Sequence, residues 1–144
     1  RSDMTVDTMK LNNSNTFEVE ESIREFLKNN HDKTDIVICT TLQQTQSVSQ
    51  IAVDMNYVGD FIIIGSYQND SVLEYLSSGV ISANIVIDAA QMGQRAVDNL
   101  AEYLEYGHTS DYSQVDVHTL EQSDAIRQLN VLQTETESET GKGA

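Results

Sequence analysis

Three short β-branched runs, separated by amphipathic segments that open on helix-capping residues, predict an α/β fold. The expected form is a three-layer arrangement, a mainly parallel sheet with helices on its faces. The runs at 36–39, 61–64 and 83–87 are almost continuously apolar, as strands covered on both faces are. Crossovers between parallel strands are right-handed, so successive strands should lie side by side with their carboxyl ends along one edge.

Each element has a local reason. Residues 4–11 (MTVDTMKL) are a strand candidate, followed by the turn-like NNSN. In TFEVEESIREFLKN, Val19, Ile23, Phe26 and Leu27 share one helix face, and Asn15 stands where a cap is needed. Glu18, Glu20 and Glu21 crowd its first turn, where the helix dipole favours anions. After the 36–39 run, Thr41 and Gln44 have capping-box spacing and introduce a helix carrying Val48, Ile51, Ala52 and Met55. The 61–64 run ends at Gly65, a short helix spans 70–78, and Gly79 stops it. Following 83–87, Asp88 and Gln91 cap a longer helix through about Tyr106, with Met92, Ala96, Leu100 and Leu104 as its core face. Gly107 ends that helix and 114–120 forms a last strand, giving the order β-α-β-α-β-α-β-α-β. The lobe thus spans 1–120, with a short closing segment at 121–133. From Thr134 the acidic tail TETESETGKGA has no apolar anchor before its final alanine and is expected to be disordered.

With 144 residues the chain suits one domain with a real core. Eight basic against twenty-three acidic residues leave a net charge of -15, which repels phosphate backbones and argues against nucleic acid as a partner of this lobe. A single cysteine excludes an intrachain disulfide, and no Cys/His spacing suggests zinc. No apolar stretch approaches the ~20 residues of a membrane helix. The opening Arg1-Ser2-Asp3 lacks Met and any leader pattern, as expected of a processed or partial chain.

Ligands of open parallel sheets bind beyond the carboxyl ends of the strands. That rule selects the loops 12–15, 40–43 and 66–69 and the junction 87–88. Their chemistry is amide, hydroxyl and phenol, without the cation or glycine-rich turn that would meet a phosphate or carboxylate. A neutral, hydroxyl-rich ligand fits better, and Tyr67 adds an apolar ring face. Thr41, Tyr67 and Asp88 are the leading candidates, with Thr40, Ser66 and Gln68 behind them. Thr41 and Asp88 also have explicit capping geometry, whereas Tyr67 is not a preferred cap. Catalysis finds no support: Cys39 reads as a small buried hydrophobe. His31, His108 and His118 read as surface or turn residues, and GxGxxG, P-loop and GxSxG patterns are absent. No cofactor or metal is expected.

Several stretches resemble the C-terminal half of type I periplasmic sugar-binding proteins and of the effector domains of LacI-type repressors. The most specific are "FIIIGSY" and "VLEYLSSGVISANIVIDAAQMGQRAVDNL"; "SIREFLKNNHDKTDIVIC" and "YSQVDVHTL" fall in matching order, so the resemblance covers roughly 4–120. It implies two three-layer, Rossmann-like lobes joined by crossing strands, with the ligand clamped between them, this chain being the C-terminal lobe and most of the first lobe missing here. The helix 89–106 would then return to that first lobe, or in the fragment find another partner such as a second copy in a homodimer. Some positions depart from the pattern. Thr41-Leu42 stand where an Asn-Asp pair often reads sugar hydroxyls, Tyr67 where Gly-Phe-Asp places its carboxylate, and Ile87 where a polar group is usual, although Asp88 is kept. A carboxylate accepts two hydroxyls at once and a phenol does not.

The resemblance implies a non-catalytic binding lobe for a small, neutral, carbohydrate-like solute. It would belong to an extracytoplasmic solute-binding protein serving a membrane permease of the ABC type or a sensor. The alternative it leaves is the effector-binding and dimerisation domain of a cytoplasmic LacI-type regulator.

Overall fold

The computed structural model describes residues 4–11 and 15–140, with side chains described as far as Leu132. Five helices and four strands alternate along the chain: α1 (Thr16–Asn30), β1 (Ile36–Ile38), α2 (Leu42–Asp54), β2 (Ile62–Ser66) and α3 (Asp70–Ser77). They continue as β3 (Ala83–Ile87), α4 (Ala89–Tyr106), β4 (Val117–Leu120) and α5 (Gln122–Thr140). The strands form one sheet in the order β1-β2-β3-β4. β1, β2 and β3 run parallel, while β4 returns antiparallel to β3 with Val86 opposite His118. The α/β class and the mainly parallel sheet agree with the sequence.

Local chemistry sets the helix starts. Asn15 accepts the Phe17 N–H at 3.1 Å, Thr41 accepts that of Gln44 at 3.2 Å and Asp88 that of Gln91 at 2.9 Å. Asn69, rather than a residue inside the helix, caps α3 by accepting the Val72 N–H at 3.0 Å. Gly107 closes α4 in the left-handed conformation, at φ 73°.

Register and alternation give the sheet two unlike faces. Ile63, Gly65 and Asn84 point to the face that α2, α3 and α5 cover. Ile63 belongs there to one buried cluster with Val19, Ile23 and Leu27 of α1, Val48 and Ile51 of α2, Val72 and Leu76 of α3, and Ala125 of α5. The opposite face presents Ile36, Ile38, Ile62 and Ile85, with Ile38 63% exposed. No described helix buries these four isoleucines.

Four expectations change. Residues 4–11 form no strand; they are irregular, and only Leu11 packs against the core. The described chain therefore has four strands instead of five, and the last begins at Val117 rather than 114. The expected core face of α4 is not a core face: the helix buries no residue, and Met92, Leu100 and Leu104 are exposed because nothing described packs on them. Finally, the closing segment 121–133 is helix α5, and its backbone stays helical through Thr140 into the stretch expected to be disordered. The physical reason lies at its start, where Ala125 is fully buried and Leu129 packs against the core beside α3. Residues 12–14 of the first candidate loop and 141–144 of the tail lie outside the described residues.

Candidate functional site

The carboxyl ends of β1 and β2 and the start of α2 are held together by a largely buried polar knot. Thr45, one turn into α2 and fully buried, donates to the Thr41 carbonyl at 2.9 Å and accepts the Ser66 N–H at 3.0 Å. The Ser66 hydroxyl donates to the Cys39 carbonyl at 2.6 Å, tying β2 to the end of β1. This geometry requires a glycine just before Ser66. A Cβ on Gly65 would stand 2.6 Å from the Thr45 methyl carbon and closer still to Asn84 Oδ1. The break after "FIII" is thus a matter of close approach rather than of a turn.

Past the knot the chain reverses its backbone hand. Tyr67 has φ 65°, in the left-handed region that side-chain-bearing residues rarely adopt. Its N–H donates to the Ile85 carbonyl at 2.8 Å, and its own carbonyl accepts from Asn84 Nδ2 at 2.5 Å. Held this way, Tyr67 stands 44% exposed at the strand ends.

A groove of about 630 Å³ opens at that point. Leu42, Tyr67 and Gln68 line it from the strand ends, Ile87, Asp88 and Ala89 from the start of α4, and Val86, His118 and Leu120 from the β3–β4 pair. Gln128 of α5 completes it, accepting at 3.0 Å from Gln68 Nε2. Asp88 caps α4 with one carboxylate oxygen, and its N–H donates to the Asp116 carbonyl at 3.1 Å. Among the described residues no lysine or arginine lines the groove. Amides, a phenol, an imidazole and one carboxylate stand against leucine, isoleucine and valine walls. Such a mixture suits an uncharged ligand with hydroxyls on its rim and C–H groups on its faces.

Of the six candidates from the sequence, the structure gathers Tyr67, Gln68 and Asp88 in this groove. Thr40, Thr41 and Ser66 stand outside its lining. Thr40 directs its N–H and its hydroxyl to Gln44 Oε1, both at 3.1 Å, Thr41 caps α2, and Ser66 belongs to the knot. Sequence reasoning missed His118 and Gln128 as lining groups. The alternation Val117–Leu120 shows that His118 and Leu120 share a face, but only the antiparallel pairing reveals which face. Gln128 had no local signal, since its place depends on how α5 docks. His31, expected in a surface or turn role, ends α1, stacks on Tyr57 with ring centroids 3.9 Å apart, and bonds Asp60 at 2.9 Å.

Among the described residues no cluster of three or more His, Cys, Asp or Glu could hold a metal, and no helix is long and apolar enough to cross a membrane. Cys39 is buried, as expected, and burial pushes its thiol up to about 12 from an ordinary 9.0, against a smaller lowering by the Thr45 hydroxyl. It should therefore resist alkylation in the native protein near pH 8 and label at once in denaturant. Rapid native labelling would contradict its burial. Between pH 9.0 and about 12 the folded thiol keeps a proton that the unfolded thiol releases, so this group lowers stability as pH rises through that window.

The parallel sheet, the groove at its carboxyl edge and the capped helix leaving β3 define a type I periplasmic-binding-protein-like α/β lobe. Solved structures share this architecture. A chain of the XylFII–LytSN complex is 29% identical over 77% of this chain and 38% of its own length, with a TM-score of 0.65. GanP, a glucose-galactose binding protein from Geobacillus stearothermophilus, is 19% identical over 77% of this chain and 38% of its own, with a TM-score of 0.65. An ABC transporter solute-binding protein from Agrobacterium vitis, solved with α-D-tagatopyranose, reaches a TM-score of 0.73 at 17% identity, covering 83% of this chain and 40% of its own. The chain thus spans less than half the length of the structures it resembles. No protein-family model and no curated protein matches the sequence.

Proposed function

We propose that the chain is the C-terminal lobe of an extracytoplasmic, non-catalytic solute-binding protein. It takes a neutral, carbohydrate-like solute and serves an ABC importer or a membrane sensor. The observation that carries this reading is the groove itself, which sets a tyrosine, paired glutamines, a histidine and one carboxylate against apolar walls at the carboxyl edge of the sheet. Likeness to a glucose-galactose binding protein and to a tagatopyranose-bound solute-binding protein supports the solute class, and likeness to a chain of the XylFII–LytSN complex supports a protein partner. Tyr67 offers its ring face to the C–H face of a pyranose, while Asp88, Gln68 and Gln128 meet hydroxyls. In the same reading α4 is the segment that returns to a first lobe, which would cover Met92, Val97, Leu100 and Leu104. Function then follows from closure of two lobes, with the ligand stabilising the closed state by binding it better than the open one.

A thermal-shift screen of the full-length protein tests the reading, with D-glucose, D-galactose, D-fucose, D-tagatose and neutral polyols as ligands. A hit at a hundredfold excess over its dissociation constant should raise stability by about 2.7 kcal/mol, and Tyr67→Ala should abolish the shift. Silence across the whole panel, or a shift that survives Tyr67→Ala, would remove the assignment.

A further inference from the structure

Asn84 is fully buried, on the helix-covered face of β3. Its Nδ2 reaches back across the sheet to the Tyr67 carbonyl, while its Oδ1 is buried without a hydrogen-bond partner. A buried polar oxygen left unpaired costs stability, and a leucine of similar size would fill the same volume without that cost. The second oddity is next door. Gly65 pairs with Asn84 in the β2–β3 register, and the room Asn84 Oδ1 occupies is room that a Cβ on Gly65 would fill. Two choices that each weaken a strand, a buried amide and a glycine, thus converge on one hydrogen bond, and that bond ends on the left-handed tyrosine.

We infer that Asn84 is a positioning residue: it fixes the left-handed backbone of Tyr67 and thereby aims the phenol ring into the groove. The inference rests on the reading of the groove as a solute site and deepens it, because Asn84 does not line the groove and acts only through Tyr67. A left-handed turn at a non-glycine residue persists only where its surroundings over-determine it. At Tyr67 two bonds do so, the N–H to Ile85 and the carbonyl to Asn84. The Ile85 bond belongs to the strand ladder and would survive most substitutions. Only the Asn84 bond depends on a side chain, so it is the one that sequence change can release.

The test separates the turn from the ligand. Full-length protein labelled with 15N-tyrosine is prepared with Asn84 intact, with Asn84→Leu and with Asn84→Ala, so that one of the two variants folds if the other does not. Two quantities are read: the Tyr67 amide-to-Hα coupling, which reports φ, and affinity for whichever of D-glucose, D-galactose, D-fucose or D-tagatose shifts the parent protein. The expected result is a Tyr67 coupling that leaves its left-handed value together with an affinity loss of about tenfold or more, equivalent to ~1.4 kcal/mol. An unchanged Tyr67 coupling in the folded variants overturns the inference. A coupling that changes while affinity does not, in a protein that binds one of these sugars, leaves Asn84 holding the turn and overturns Tyr67 as a ligand contact. The two failures are therefore distinct.

Discussion

Gly65→Ala is expected to destabilise the lobe by about 3 kcal/mol, the upper end of what one added core methyl costs. The added carbon meets Thr45 Cγ2 at 2.6 Å and Asn84 Oδ1 closer still, and neither neighbour can step aside cheaply. Thr45 is fully buried, and its hydroxyl is engaged by the Thr41 carbonyl and the Ser66 N–H, so turning its methyl away breaks the knot joining α2 to β2. Asn84 is equally buried and gripped by Tyr67. Urea unfolding reads the effect as a shift in midpoint, and a loss below ~0.5 kcal/mol would mean that the strand ends are looser than described. Thr45→Ser removes the offending methyl and keeps the hydroxyl, so it should recover part of the loss in the Gly65→Ala background. Domains are stable by only about 5–15 kcal/mol, so the single substitution threatens folding as well as the site.

At position 67 the expectation runs opposite to habit. Glycine there should give a more stable protein than alanine, by about 1 kcal/mol, because a left-handed backbone costs a Cβ-bearing residue about that much and costs glycine nothing. Both variants lose the phenol, so both should lose the thermal shift with sugar. Their difference isolates backbone strain from side-chain packing, and parallel melts of Tyr67→Gly and Tyr67→Ala measure it. Alanine equal to or more stable than glycine would mean that φ at this residue is not the 65° described. The strain sits beside the groove, where a rigid ring is useful and where a strand leaving in the ordinary conformation would point its side chain elsewhere.

Much of this fold was legible because its signals are local. The caps at Asn15, Thr41 and Asp88 need only a side chain and an amide two or three residues on, and all three form as their spacing foretold. What sequence could not show depends on residues far apart. Asn84 reads as a polar interruption in an apolar run, and its meaning appears only when Tyr67 and Gly65 are brought against it. His118 reads as one histidine among three until the antiparallel return of β4 sets it beside Val86. α5 was hidden by the run TETESE, whose composition says solvent while its lack of glycine and proline leaves a helix begun at Gln122 free to continue. The face of α4 misleads for the opposite reason. Its apolar stripe is real, but periodicity shows that a helix has something to bury and not where.

The open side of the sheet sets how the lobe behaves as a colloid. Ile36, Ile38, Ile62, Ile85 and Val117 leave a greasy plate on a particle that carries fifteen net negative charges. Near 0.1 M salt those charges act over about 10 Å and hold copies apart, whereas at 1 M their reach shrinks to about 3 Å and the plates can meet. Expressed by itself, the lobe is therefore expected to self-associate more as salt rises, and light scattering between 0.1 M and 1 M salt checks it.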